Sequence, residues 1–149
     1  MDWHIKIAEE LFSAARGEFK HLEYFYFHNC LYEQVWKHNG RRSSETISTW
    51  DVLHTYPPDY KVIFVGDASM SPYEITHAGG AVEHMNEEPG ALWLRRVTDT
   101  YGHCVWLNPL AEAHWGWTPS IGMIARLMAE RMYPLTLQGL DAAMGELMR

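Results

Sequence analysis

Apolar positions along the chain switch between a helical and an extended period, and each switch marks an element. Ile5, Ala8, Phe12 and Ala15 recur at helical spacing, and Gly17 offers a stop, which predicts a first helix. Leu22 to His28 is aromatic and strand-forming, Asn29 supplies a turn, and Leu31 to Trp36 continues with strand formers. Residues 39–48 are polar, with Gly40, Arg41 and Arg42, and predict a loop. A short helix is expected from Thr49 to Tyr56, broken by Pro57-Pro58-Asp59. Val62-Ile63-Phe64-Val65 is an unbroken apolar run between turn signals, the pattern of a central strand buried on both faces.

After Gly66-Asp67, the stretch from Ser69 to Glu88 is polar, contains Gly79-Gly80 and predicts an excursion loop. Pro89 opens a helix carrying Leu92, Trp93 and Val97, closed by Gly102. Cys104 to Leu107 is a second buried strand. Thr118-Pro119 starts a helix with Ile121, Ile124 and Met128 on one face. Tyr133 to Leu137 reads as a last short strand, and Leu140, Ala143, Met144 and Leu147 as the stripe of a final helix. Strands alternating with helices predict an α/β fold with a mostly parallel sheet and helices on both faces. A helix lying on such a sheet normally belongs to a β-α-β crossover, yet the first helix has no strand ahead of it.

The chain of 149 residues suits one domain spanning 1–149. Apolar residues make up 47% and aromatic residues 13%, enough for a core and too much for a disordered chain. The net charge of −7 argues against nucleic acid or an anionic membrane as partner. Cys30 and Cys104 form no CxxC pair and are expected to be buried thiols in a reducing compartment. The opening residues match no signal peptide, and no apolar run approaches the roughly 20 residues of a membrane span, so the expected location is cytoplasmic.

Candidate chemistry centres on Asp67, which ends the most apolar strand, since ligand sites in open α/β sheets lie beyond the carboxyl ends of strands. Its carboxylate, followed by Ser69 and Ser71, offers the hard oxygens that suit Mg²⁺; the alternative is an Asp that caps the next turn. Ser69 as a catalytic nucleophile would require Gly where Asp67 and Ser71 stand. His77, His84, His103 and His114 show no metal-ligand spacing. Trp93, Trp106, Trp115 and Trp117 read as core or groove, and Glu83, Glu87 and Glu88 as a solvated acidic loop.

The stretch from Lys61 to Ser71 resembles the fourth strand of a von Willebrand factor A (VWA) domain, whose terminal Asp belongs to the metal-ion-dependent adhesion site. A wider set resembles bacterial CoxE-like VWA proteins. It comprises Tyr24 to Cys30, Thr49 to Leu53, Asp59 to Val62, Gly66 to Glu74, Glu87 to Gly90 and Val105 to Pro109. The resemblance implies a Rossmann-like VWA fold and a metal site drawn from three segments. Asp67 matches the fourth-strand Asp and Thr49 the loop Thr, with Ser48 as a substitute; Thr49 could equally be a helix N-cap. The remaining segment, Asp-x-Gly/Ser-x-Ser after a central first strand, is expected upstream of Met1, which would make this a partial domain, a truncated product with weak Mg²⁺ affinity and low stability. Asp67-Ala68-Ser69-Met70-Ser71 itself spells Asp-x-Ser-x-Ser, but too few strands follow it to build the sheet, and either assignment puts Asp67 at a metal position.

The implied function is non-enzymatic: a metal-dependent protein-interaction module acting with a MoxR-type AAA+ ATPase in assembly or maturation of a client protein. The alternatives are an α/β hydrolase or phosphotransfer enzyme using Asp67 and Ser69, for which an elbow, a P-loop and a paired base are lacking, and a fragment without independent function.

Overall fold

The apolar run at residues 62–65 becomes a strand of a parallel sheet, but not the central strand buried on both faces that its lack of alternation predicts: among the described residues it pairs along one edge only, and of its four residues only Phe64 is buried. A computed structural model describes residues 6, 8–10, 12–13, 19–38, 45–80 and 86–149. In chain order, β1 (Gln34–Trp36) pairs antiparallel with β2 (Thr46–Ser48), and α1 (Thr49–Thr55) follows at once. Then come β3 (Val62–Val65), α2 (Pro72–Thr76), α3 (Gly90–Thr100) and β4 (Cys104–Asn108). A 3₁₀ helix (Glu112–Trp117), α4 (Pro119–Leu127), β5 (Met132–Pro134) and α5 (Leu137–Leu147) complete the described part. The parallel sheet has the order β3-β4-β5, with Val62 opposite Cys104 and Trp106 opposite Met132.

β4 is buried along its whole length, and its alternate side chains feed two separate cores. Cys104 and Trp106 join Trp93, Leu94 and Val97 of α3 and Ile121 and Ile124 of α4. Val105 and Leu107 face the other way, against Ala143 and Leu147 of α5. The sheet therefore carries helices on both faces, the arrangement expected for an α/β fold. Trp106 is fully buried, stacks on Phe64 with ring centroids 5.2 Å apart and donates its indole N–H to the Gly66 carbonyl at 2.8 Å. Its truncation to Ala would cost about 3–5 kcal/mol.

Several elements differ from the sequence pattern. Among the described residues, Leu22 to His28 forms no strand but two isolated bridges, Tyr26 with Trp36 and His28 with Cys30, and lies outside the parallel sheet. Residues 46–48, read as loop, form β2; residues 39–44 lie outside the described residues. The supposed excursion loop contains α2, started by Ser71 at the N-cap and Pro72 in the first turn, whereas residues 81–85 lie outside the described residues. The last strand ends at Pro134 because the Thr136 hydroxyl accepts from the Gly139 N–H and starts α5 at Leu137. At the amino end, residues 6, 8–10 and 12–13 are helical; Ile5, Ala15 and Gly17 of that predicted helix lie outside the described residues. Both cysteines are buried free thiols. Trp93 and Trp106 are core residues, but Trp117 is 77% exposed.

Candidate functional site at the carboxyl end of β3

β3 delivers Asp67 one residue past Gly66, half-buried, at the carboxyl end of the parallel sheet. Asp67 Oδ1 accepts from the Ser69 N–H at 3.0 Å, so the turn-capping reading of this Asp holds. That bond uses one lobe of the carboxylate and is compatible with a second ligand. The backbone here is held under constraint. Ala68 is buried with φ of 57°, a left-handed conformation that costs a non-glycine residue roughly 1–2 kcal/mol. Ser120, fully buried in the first turn of α4, donates to the Ala68 carbonyl at 2.6 Å and accepts from the Met70 N–H at 3.0 Å. Asn108, fully buried at the end of β4, donates to the Asp67 carbonyl at 2.9 Å. Two neighbouring elements thus fix the loop that carries Asp67, and backbone strain of this kind concentrates at functional sites.

Thr49 arrives from the other direction. It is the first residue of α1, only 2% exposed, and it is not the N-cap, a position held by Ser48 without a side-chain bond. Its N–H donates to the Glu33 carbonyl at 2.8 Å and its hydroxyl to the Tyr32 carbonyl at 2.5 Å. A hydroxyl that gives its proton to a carbonyl keeps its lone pairs for another partner. Tyr32 in turn donates to the Glu74 carbonyl of α2 at 2.8 Å, and burial pushes its phenol well above the usual tyrosine range. Asn29, left-handed at φ of 59°, donates its amide to both oxygens of the buried Glu74 at 3.2 Å.

Thr49 and Asp67 both line one cavity of about 370 Å³. Residues 22–29 form one wall and residues 62–67 another, and Val52, Leu53 and Tyr56 of α1 also border it. Phe27 reaches across to Phe64 and Trp106, with ring centroids 6.1 and 5.9 Å away. The two oxygen donors suit Mg²⁺ in type. In number they fall short, because Mg²⁺ prefers about six oxygens in an octahedron, and among the described residues no group of three His, Cys, Asp or Glu could hold a metal.

Ser120, Asn108 and Tyr32 are the supporting residues that sequence reading missed. Asn108 stands beside Pro109 at the end of an apolar run, a turn signal that gave no hint of its reach to Asp67. Ser120 follows Thr118-Pro119 and reads as ordinary helix-start chemistry. Among the described residues, no helix is long and apolar enough to cross a membrane. Comparison with protein-family models, curated proteins and solved structures finds no match.

Proposed function

We propose that this chain is a metal-dependent protein-interaction module of the CoxE-like VWA kind, with Asp67 and Thr49 supplying part of a Mg²⁺ site. The observation that carries the reading is that Thr49 and Asp67, brought in by different elements, line the same cavity. When bound, the ion would offer a coordination position that an acidic side chain of a partner completes, making attachment selective and metal-dependent. The chain's own residues orient the donors: Asn108 and Ser120 fix the Asp67 loop, and the Tyr32 carbonyl fixes the Thr49 hydroxyl. The partner class that goes with this reading is a MoxR-type AAA+ ATPase, acting on a client protein.

Affinity capture of a purified MoxR-type ATPase on the immobilised chain tests the proposal. Capture should require Mg²⁺, disappear in EDTA and disappear in Asp67→Ala. Capture that survives both treatments would overturn the metal reading, and ester or phosphoester hydrolysis that disappears in Ser69→Ala would favour an enzyme.

A further inference from the structure

β3 has one paired edge and one open edge. Val62 donates to the His103 carbonyl at 3.0 Å and Gly66 to the Leu107 carbonyl at 3.1 Å, so these residues face β4. By the alternation of a parallel ladder, the N–H and C=O groups of Ile63 and Val65 face the other way. Among the described residues no strand pairs with that edge. Across the cavity, Tyr26 exchanges both of its backbone bonds with Trp36, at 2.8 and 2.9 Å, on the outer side of the 22–29 stretch. The backbone groups of Phe25 and Phe27 therefore turn inward, again by alternation. The cavity of about 370 Å³ thus lies between two stretches of extended backbone, each with ladder groups directed into it.

We propose that this slot is a strand-acceptor site, taking one extended, apolar segment of another polypeptide, about as long as the four-residue β3. Three observations select that occupant. A small apolar molecule would cover the aromatic lining but leave both rows of N–H and C=O groups buried without partners, whereas an added strand satisfies both at once. The second observation is charge. Glu23 and Lys61 border the Tyr56–Tyr60 pair before β3 and Asp67 stands after it, while Glu9 already accepts from the Tyr26 hydroxyl at 2.6 Å. The stretch between therefore favours uncharged side chains. Third, the slot is walled on both long sides, so a single segment fits where the edge of a second folded copy, carrying helices on both faces of its sheet, does not. This inference stands without the metal reading.

The probe is a peptide with blocked ends and the sequence of residues 61–66, a segment known from this chain to form a strand. It should bind one-to-one and slow amide exchange at Phe25, Phe27, Ile63 and Val65. N-methylation of either set of alternate peptide residues should weaken binding at least tenfold. Val65→Pro removes an N–H from the open edge but none from the β4 side, and should abolish binding while exchange in β4 stays slow. If that variant does not fold, the N-methylated peptides decide. Equal binding of methylated and unmethylated peptides, slow exchange of Ile63 and Val65 in the free monomer, or protection that appears only as the chain dimerises would each overturn the proposal.

Discussion

The Asn108 side chain bridges two backbone segments: its amide donates to the Asp67 carbonyl at 2.9 Å and its oxygen accepts from the Leu110 N–H at 2.9 Å. One fully buried side chain thereby fixes both the loop after β3 and the chain leaving β4. Asn108→Ala leaves two backbone groups without partners, and the expected loss is about 1–3 kcal/mol for each group that stays buried and unpaired. Urea unfolding checks this. A midpoint unchanged from the parent would show that neither bond contributes.

Ser120 plays a matching part from α4, where it holds a loop strained at Ala68. Ser120→Ala should destabilise by about 1–3 kcal/mol, because the Ala68 carbonyl and Met70 N–H lose a buried partner. With the restraint gone, Ala68 can leave the left-handed region, so the Asp67 carboxylate should also lose its fixed orientation. The expected signature is a weaker Mg²⁺-dependent rise in melting temperature in Ser120→Ala than in the parent. An equal rise would show that the Ser120 bridge does not position Asp67.

The strands at 62–65 and 104–107 were legible as unbroken apolar runs between turn signals, but only 104–107 is buried along its whole length; that 62–65 lies at the edge of the described sheet depends on what pairs beside it, which the run itself does not record. The helix starts at Thr118-Pro119 and near Pro89 were legible because N-terminal chemistry is local. The role of residues 22–28 was not. Their composition suits a strand, but whether a strand finds a partner depends on what lies beside it, and among the described residues this stretch forms isolated bridges, Tyr26 with Trp36 and His28 with Cys30. The site shows the same division. Asp67 stood out by its place after the apolar run, but the residues that hold it, Asn108 and Ser120, lie 41 and 53 residues further along the chain, and contacts at that range leave no mark in a single sequence.

Burial pushes the Cys104 thiol up to about 11 and the Cys30 thiol up to about 12, from an ordinary value near 9. Unfolded thiols ionise near pH 9 while the folded ones keep their protons, so the unfolded chain binds fewer protons above that pH. Stability from this source is full below pH 9 and falls as pH rises toward 11. The slope is about 1.4 kcal/mol per pH unit for each thiol. Tyr26 and Tyr32, also raised by burial, add the same trend above the usual tyrosine range. Denaturation series between pH 8 and 10 should therefore show a decline that flattens in Cys104→Ala and in Cys30→Ala. A thiol reagent should label both cysteines only as fast as the chain opens. Rapid labelling of the folded chain at pH 8 would contradict the burial.

Thr49 carries two roles that substitution can separate. Structurally, its hydroxyl satisfies the Tyr32 carbonyl in a buried setting and ties the start of α1 to the residues ahead of β1. Thr49→Val keeps the shape but removes the donor, and should cost about 1–3 kcal/mol through the orphaned carbonyl. Thr49→Ser keeps the donor and loses a buried methyl, worth roughly 0.8 kcal/mol. If the hydroxyl also ligates Mg²⁺, the ion stabilises the folded chain by mass action in the parent and in Thr49→Ser but not in Thr49→Val. Melting temperatures of the three chains, with and without millimolar Mg²⁺, give both answers. A Mg²⁺ shift that persists in Thr49→Val would leave Thr49 as a tether of α1 alone, and the ion would then rest on Asp67 and donors other than this hydroxyl.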